Sequence, residues 1–201
     1  MKKLLVVGAV SLGVLAVTGC ASSPGGHDPT HDETTQELTA SATVLGHEDG
    51  TSPVMCLGLV LESFPPLCSG PTVLGWDWSN LLDEHRASGS IWGTYEVTGT
   101  WDGTAFTLTA LPRPAELVSP GVADIEDDGA AATPAVTAAV EHYRRESQAD
   151  TDILGVEEAG GSALVTVVFD DGVMQEGADA LYGEGVVVID SALEPSARSG
   201  R

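Results

Sequence analysis

The strictest alternation of apolar and polar positions runs through IWGTYEVTGTWDGTAFTLTAL, residues 91–111. Two alternating runs on either side of Asp102-Gly103 predict an antiparallel hairpin with a two-residue turn. Taken literally, that turn pairs Trp101 with Thr104, Gly99 with Phe106, Val97 with Leu108 and Tyr95 with Ala110. These positions share one apolar face, while Glu96, Thr98, Thr107 and Thr109 share a polar one, so one side of the hairpin should be solvated. A one-residue slip would turn Val97 and Phe106 toward water and is not expected. Upstream, residues 42–46 read as a first strand and residues 55–61 as a second, buried one. Pro65-Pro66 imposes an extended or turned path. In Gly75-Trp76-Asp77-Trp78 both indoles would lie on one face of a strand. A short solvated helix is expected from Ser79, as its N-cap, to Ala87.

The period changes after residue 133. Thr133-Pro134 opens a helix, with threonine as N-cap and proline at the first helical position. Val136, Ala139, Val140 and Tyr143 then recur at helical spacing as one buried stripe, and Arg144 and Arg145 suit the C-terminal end of the dipole. Residues 153–157 and 163–169 read as strands, the latter apolar nearly throughout as in a strand covered on both sides. A short helix over 175–181 and a last buried strand over 185–190 complete the pattern. The expected fold is α+β. It has an N-terminal antiparallel β lobe over 41–111, a small barrel resembling an OB fold, then a smaller α+β lobe over 133–195 and a tail, 196–201. Residues 112–132 read as an acidic connector, broken by Pro112, Pro114, Pro120 and Gly129. The spacing of its acidic run, 124–128, does not match an EF-hand loop, so a solvated charge run is expected.

The first 40 residues carry no such pattern. Lys2 and Lys3 precede an apolar run over 4–17, and Val17-Thr18-Gly19 leads into Cys20. The run is short for a membrane span of ~20 residues and has the layout of a secretory signal. With cysteine at the cleavage point, the segment resembles a bacterial lipoprotein signal. That resemblance implies removal of residues 1–19, a diacylglyceryl thioether and further acylation (palmitate) at Cys20, and anchoring to the cell membrane on its outer side. Residues 20–40 read as a flexible tether. His27 and His31 lie in it, but Pro29 spoils the helix that would bring them together on a metal.

Charge narrows the partners. The chain has 30 acidic residues against eight basic ones, a formal charge of −22. Both lysines fall in the lead, so the remainder holds six arginines against 30 acids, or −24. That balance argues against nucleic acid and against electrostatic docking on anionic lipid. With Cys20 assigned to lipid, Cys56 and Cys68 remain as the pair available for a disulfide in an exported protein. No cofactor and no metal is expected.

No nucleophile elbow, zinc-protease motif or phosphate-binding loop occurs. A triad drawn through His85, Asp83 and Ser88 has no more support than chance proximity, and His142 reads as a surface residue. Trp76, Trp78, Trp92 and Trp101 are the one group with functional promise: exposed indoles stack on sugars or anchor protein contacts. The competing expectation, and the favoured one, is that they fill the core of a domain poor in other aromatics.

CLGLVLESFPPLCSG followed by GWDW, together with ALYGEGVVVIDSALEP, resembles a recurrent pattern in uncharacterised actinobacterial lipoproteins and secreted proteins. That resemblance implies no activity. The expected function is a lipid-anchored envelope protein that binds or scaffolds without catalysis, with an envelope protein or cell-wall glycan as partner. The alternative is a glycan- or peptidoglycan-directed envelope enzyme using carboxylates of the β lobe.

Overall fold

The computed structural model describes residues 36–115, except 59 and 62, and residues 131–196. The first stretch forms β1 (Leu38–His47), β2 (Val54–Cys56), β3 (Thr72–Leu74), β4 (His85–Ala87), β5 (Ser90–Trp101), β6 (Ala105–Leu108) and β7 (Arg113–Pro114). Five of these strands close a barrel in the order β1-β2-β3-β6-β5 and back to β1. All pairs are antiparallel except β3 with β6. The closing seam is long: β1 and β5 pair without interruption from Leu38 opposite Gly99 to His47 opposite Ser90. Alternate residues of β1 (Leu38, Ala40, Ala42, Val44) point inward and meet Met55, Val73, Tyr95, Val97 and Phe106.

The hairpin forms, but its register sits two residues from the one Asp102-Gly103 predicts. Trp101 faces Phe106, Thr100 faces Thr107 and Gly99 faces Leu108. The cause is the Asp102 carboxylate, which accepts the N–H of both Thr104 and Ala105 at 2.8 Å and widens the turn. An even slip keeps every side chain on its face, so Val97 and Phe106 remain fully buried. Phe106 still covers the bare backbone of Gly99, where an added Cβ would lie 2.7 Å from its ring.

Four further expectations are corrected. The second strand stops at Cys56; the chain bends at Gly58, and Leu61 beyond it stands 51% exposed. The helix expected from Ser79 to Ala87 is a single 3-10 turn, Trp78–Asn80, followed by β4. Its cap is Asp77, whose carboxylate takes the Ser79 N–H at 2.9 Å and the Ser79 hydroxyl at 2.7 Å. Arg113–Pro114, read as connector, pairs with Tyr95 and Glu96 as an edge strand, the position that tolerates proline. The first strand also begins at Leu38, earlier than the residues read as strand. The acidic run 124–128 and the lead through Cys20 lie outside the described residues.

The second stretch forms α1 (Pro134–Glu146), β8 (Ile153–Ala159), β9 (Ser162–Val167), α2 (Val173–Tyr182), β10 (Val187–Ser191) and β11 (Glu194–Pro195). Thr133 caps α1 by accepting the Val136 N–H at 3.3 Å, and Val136, Ala139, Val140 and Tyr143 are its buried stripe. Gly160 and Gly161, both at positive φ, make the two-residue turn that joins β8 to β9. β9 is central, antiparallel to β8 and parallel to β10, with α2 as the crossover. Ala163, Val165 and Val167 pack with the α1 stripe. The chain then returns to the barrel: Ala192 and Leu193 join its core, and β11 pairs with the start of β1. Ser196 N–H donates to the Glu37 carbonyl at 2.8 Å.

Candidate functional site

Two recesses collect most of the chemistry the sequence singles out. The first lies over the disulfide loop. Cys56 ends β2 and bonds to Cys68, with Cα atoms 5.6 Å apart, as expected. Cys56 is buried beside Leu45 and Trp92. Within the loop, Leu61 N–H donates to the Leu67 carbonyl at 2.9 Å, which holds a tip at Phe64. Phe64 is 79% exposed and meets Trp92 edge-on at 5.1 Å; His85, from β4, lies 5.6 Å from the same indole. A groove of about 630 Å³ runs past Phe64, His85 and Trp92.

The tryptophans do not share a face. Trp92 is buried under that loop. Trp76 and Trp78 stand edge-to-face 5.1 Å apart and pack against Tyr95, closing one side of the barrel core. The Trp76 Nε1 is buried and donates to nothing among the described residues. Burial, then Glu84 and Asp83, pushes the Tyr95 phenol up to about 12; its hydroxyl donates to the Leu82 carbonyl at 3.2 Å. Trp101 alone reaches the second recess.

That recess is a cleft of about 610 Å³ where the barrel meets the α/β region, and Trp101, Asp152 and several threonine and serine residues line it. Gly58 and Leu154 are in contact at its back; a Cβ on Gly58 would lie 3.6 Å from the Leu154 carbonyl oxygen. Gly70 in its wall tolerates no side chain, since a Cβ there would fall 1.9 Å from the Met55 carbonyl oxygen. The loop carrying Asp152 is fixed from both sides: its N–H donates to Asp150 Oδ1 at 2.9 Å, and its carbonyl accepts the Val168 N–H at 2.8 Å. Partial burial, reinforced by Asp150, holds the Asp152 carboxyl above the usual carboxylate range. Burial, then Glu194, does the same to Asp190.

Asp152 and Thr151 carry no mark in the sequence, between the helix that ends near Arg145 and the strand that begins at 153. Their role comes from tertiary contact alone. His142 sits half-buried between Tyr143 and Tyr182, at 5.1 and 6.0 Å, as a packing residue. Among the described residues no group of three or more His, Cys, Asp or Glu side chains is placed to hold a metal ion, and no helix is long and apolar enough to cross a membrane. No protein-family model, curated protein or solved structure matches the chain.

Proposed function

We propose that this protein is a lipid-anchored protein of the cell envelope, held by Cys20 and a tether, whose body binds a partner rather than transforming it. The observation that carries the reading is the distribution of cysteines: Cys56 and Cys68 are bonded to each other, leaving Cys20 alone at the end of the apolar lead. A structural disulfide belongs to an oxidising compartment. We read the barrel as OB-like on its strand order and its parallel β3–β6 pair. At the cleft lined by Trp101, binding is favoured over glycan hydrolysis, since Asp152 is the one carboxylate among the described residues there and glycoside hydrolysis commonly uses two. The test is Cys20→Ser in the native host, followed by membrane fractionation and labelling with a fatty-acid analogue. Loss of label, with release into the soluble fraction or accumulation of uncleaved precursor, supports the reading. A variant that matures normally and stays in the membrane overturns it.

A further inference from the structure

We propose that the cleft between the barrel and the α/β region is a binding site for a neutral oligosaccharide, with Trp101 as the stacking platform and Asp152 as the hydrogen-bond acceptor. The proposal rests on the reading that the body binds rather than catalyses. Its volume, about 610 Å³, lies within the range of small-ligand sites, ~300–1,000 Å³. Its lining is neither the apolar wall of a lipid site nor the basic wall of a phosphate site. No arginine lines it among the described residues, and the body as a whole is strongly acidic, which disfavours an anionic ligand.

A sugar ring has two kinds of surface. Its C–H face is attracted to the electron-rich face of an aromatic ring, and its rim of hydroxyls both donates and accepts. The cleft offers both complements. Trp101 is half-buried, anchored on the barrel core and still exposed enough to line the opening. Around it, the side chains of Ser69, Thr72, Thr104 and Thr151 line the cleft without a hydrogen bond to any described residue. Asp152 is the one carboxylate in this set, and its side-chain oxygens accept nothing from the described residues, although it is only half-exposed. A partly desolvated carboxylate without a partner is a strong acceptor for vicinal hydroxyls. Gly103, beside whose Cβ position nothing lies within 4 Å, leaves its peptide group uncovered at the rim, which adds a backbone donor and acceptor at close approach. The loop bearing Asp152 is pinned by two hydrogen bonds of the residue 152 backbone, one to the Asp150 carboxylate and one from the Val168 N–H, so the acceptor is held in place before a ligand arrives.

The experiment uses the full lipidated protein in a zwitterionic, sugar-free detergent. It is titrated with N-acetylchitotriose, cellotriose and maltotriose into the millimolar range while the heat of binding is followed by calorimetry. A saturable change with at least one trisaccharide is expected. Trp101→Ala and Asp152→Asn should each weaken it by about tenfold or more, with the circular dichroism spectrum unchanged. If Trp101→Ala does not fold, Asp152→Asn decides alone, because the hydrogen bonds that fix its loop are made by the residue 152 backbone. No saturable response to any of the three sugars, or a response that the folded variants leave intact, overturns the proposal. Fractionation of the same protein reports anchoring separately: sugar binding without membrane attachment sinks the envelope reading alone, and attachment without sugar binding sinks this one alone.

Discussion

The barrel and the α/β region reach stability by different routes. In the α/β region partners are close in sequence: Ile153 pairs with Val167, and α1 lies directly before the sheet it covers. In the barrel they are distant, since Leu38 must find Gly99 before the ring closes. Loop closure costs entropy before any contact repays it, and the barrel bears more of that cost; its disulfide removes only the part that belongs to the loop between Cys56 and Cys68. The barrel also borrows Val168, Ala192 and Leu193 from beyond α1 to complete its core. Its core is therefore complete only with the far end of the described chain in place.

All four tryptophans lie in the barrel and both helices outside it, so indole emission and helical ellipticity follow the two regions separately. The largest effect is expected from Phe106→Ala, which empties the fully buried position over Gly99. A loss of about 3–5 kcal/mol should appear first in the emission midpoint of a urea titration. Leu193→Ala tests whether the comparison is too sharp. It lies in the C-terminal stretch but is buried in the barrel, so it should cost about 2–5 kcal/mol and move the emission transition as much as the helical one. If emission stays put while ellipticity shifts, the barrel does not depend on the returning chain. Removing the disulfide by Cys56→Ala with Cys68→Ala should cost about 3 kcal/mol, again weighted toward emission, and alkylation without reductant should label no thiol at 56 or 68 in the parent protein.

A smaller change, about 1 kcal/mol, is expected of Thr133→Ala, which removes the α1 cap and should register in ellipticity before emission. The least effect comes from pH. Hydrogen bonds from the Ala105 and Thr104 backbone hold Asp102 below its ordinary value of 3.8. Its stabilisation is present above 3.8 and is lost as pH falls through the lower folded value. Asp152 works in the opposite sense. Burial raises its folded value above 3.8, so the stability it contributes is present below 3.8 and lost as pH rises through that folded value. Acid titrations of Asp102→Ala and Asp152→Asn against the parent should diverge in opposite directions.

What the sequence made legible follows the same division. The cap at Thr133, the stripe to Tyr143 and the apolar β9 depend on neighbours within a turn or a strand, and each formed where the pattern placed it. The hairpin was legible as a hairpin, but its register depended on which backbone N–H groups Asp102 captured, which no period encodes. Residues 85–87 looked helical from their polarity, yet the neighbouring edge of β5 recruits them as β4. Pro112 and Pro114 suggested a break, but an edge strand needs few donors. Of the candidate site, Trp101 was visible as a residue and invisible as a position. Asp152 became its neighbour only when the barrel and the sheet came together.

The hydrogen bond between Ser196 and Glu37, beside the β1–β11 pair, also sets how the body bears a mechanical load. A pull entering at residue 37 and resisted at the Ser90 end of β5 acts along β1, and must slide it past β5 with all ten facing pairs loaded together. A pull between residues 37 and 196 instead meets two paired residues at the open end of the seam and separates them in turn. Tugged by a single leash, the molecule is braced in shear; gripped at both ends, it opens like a zip.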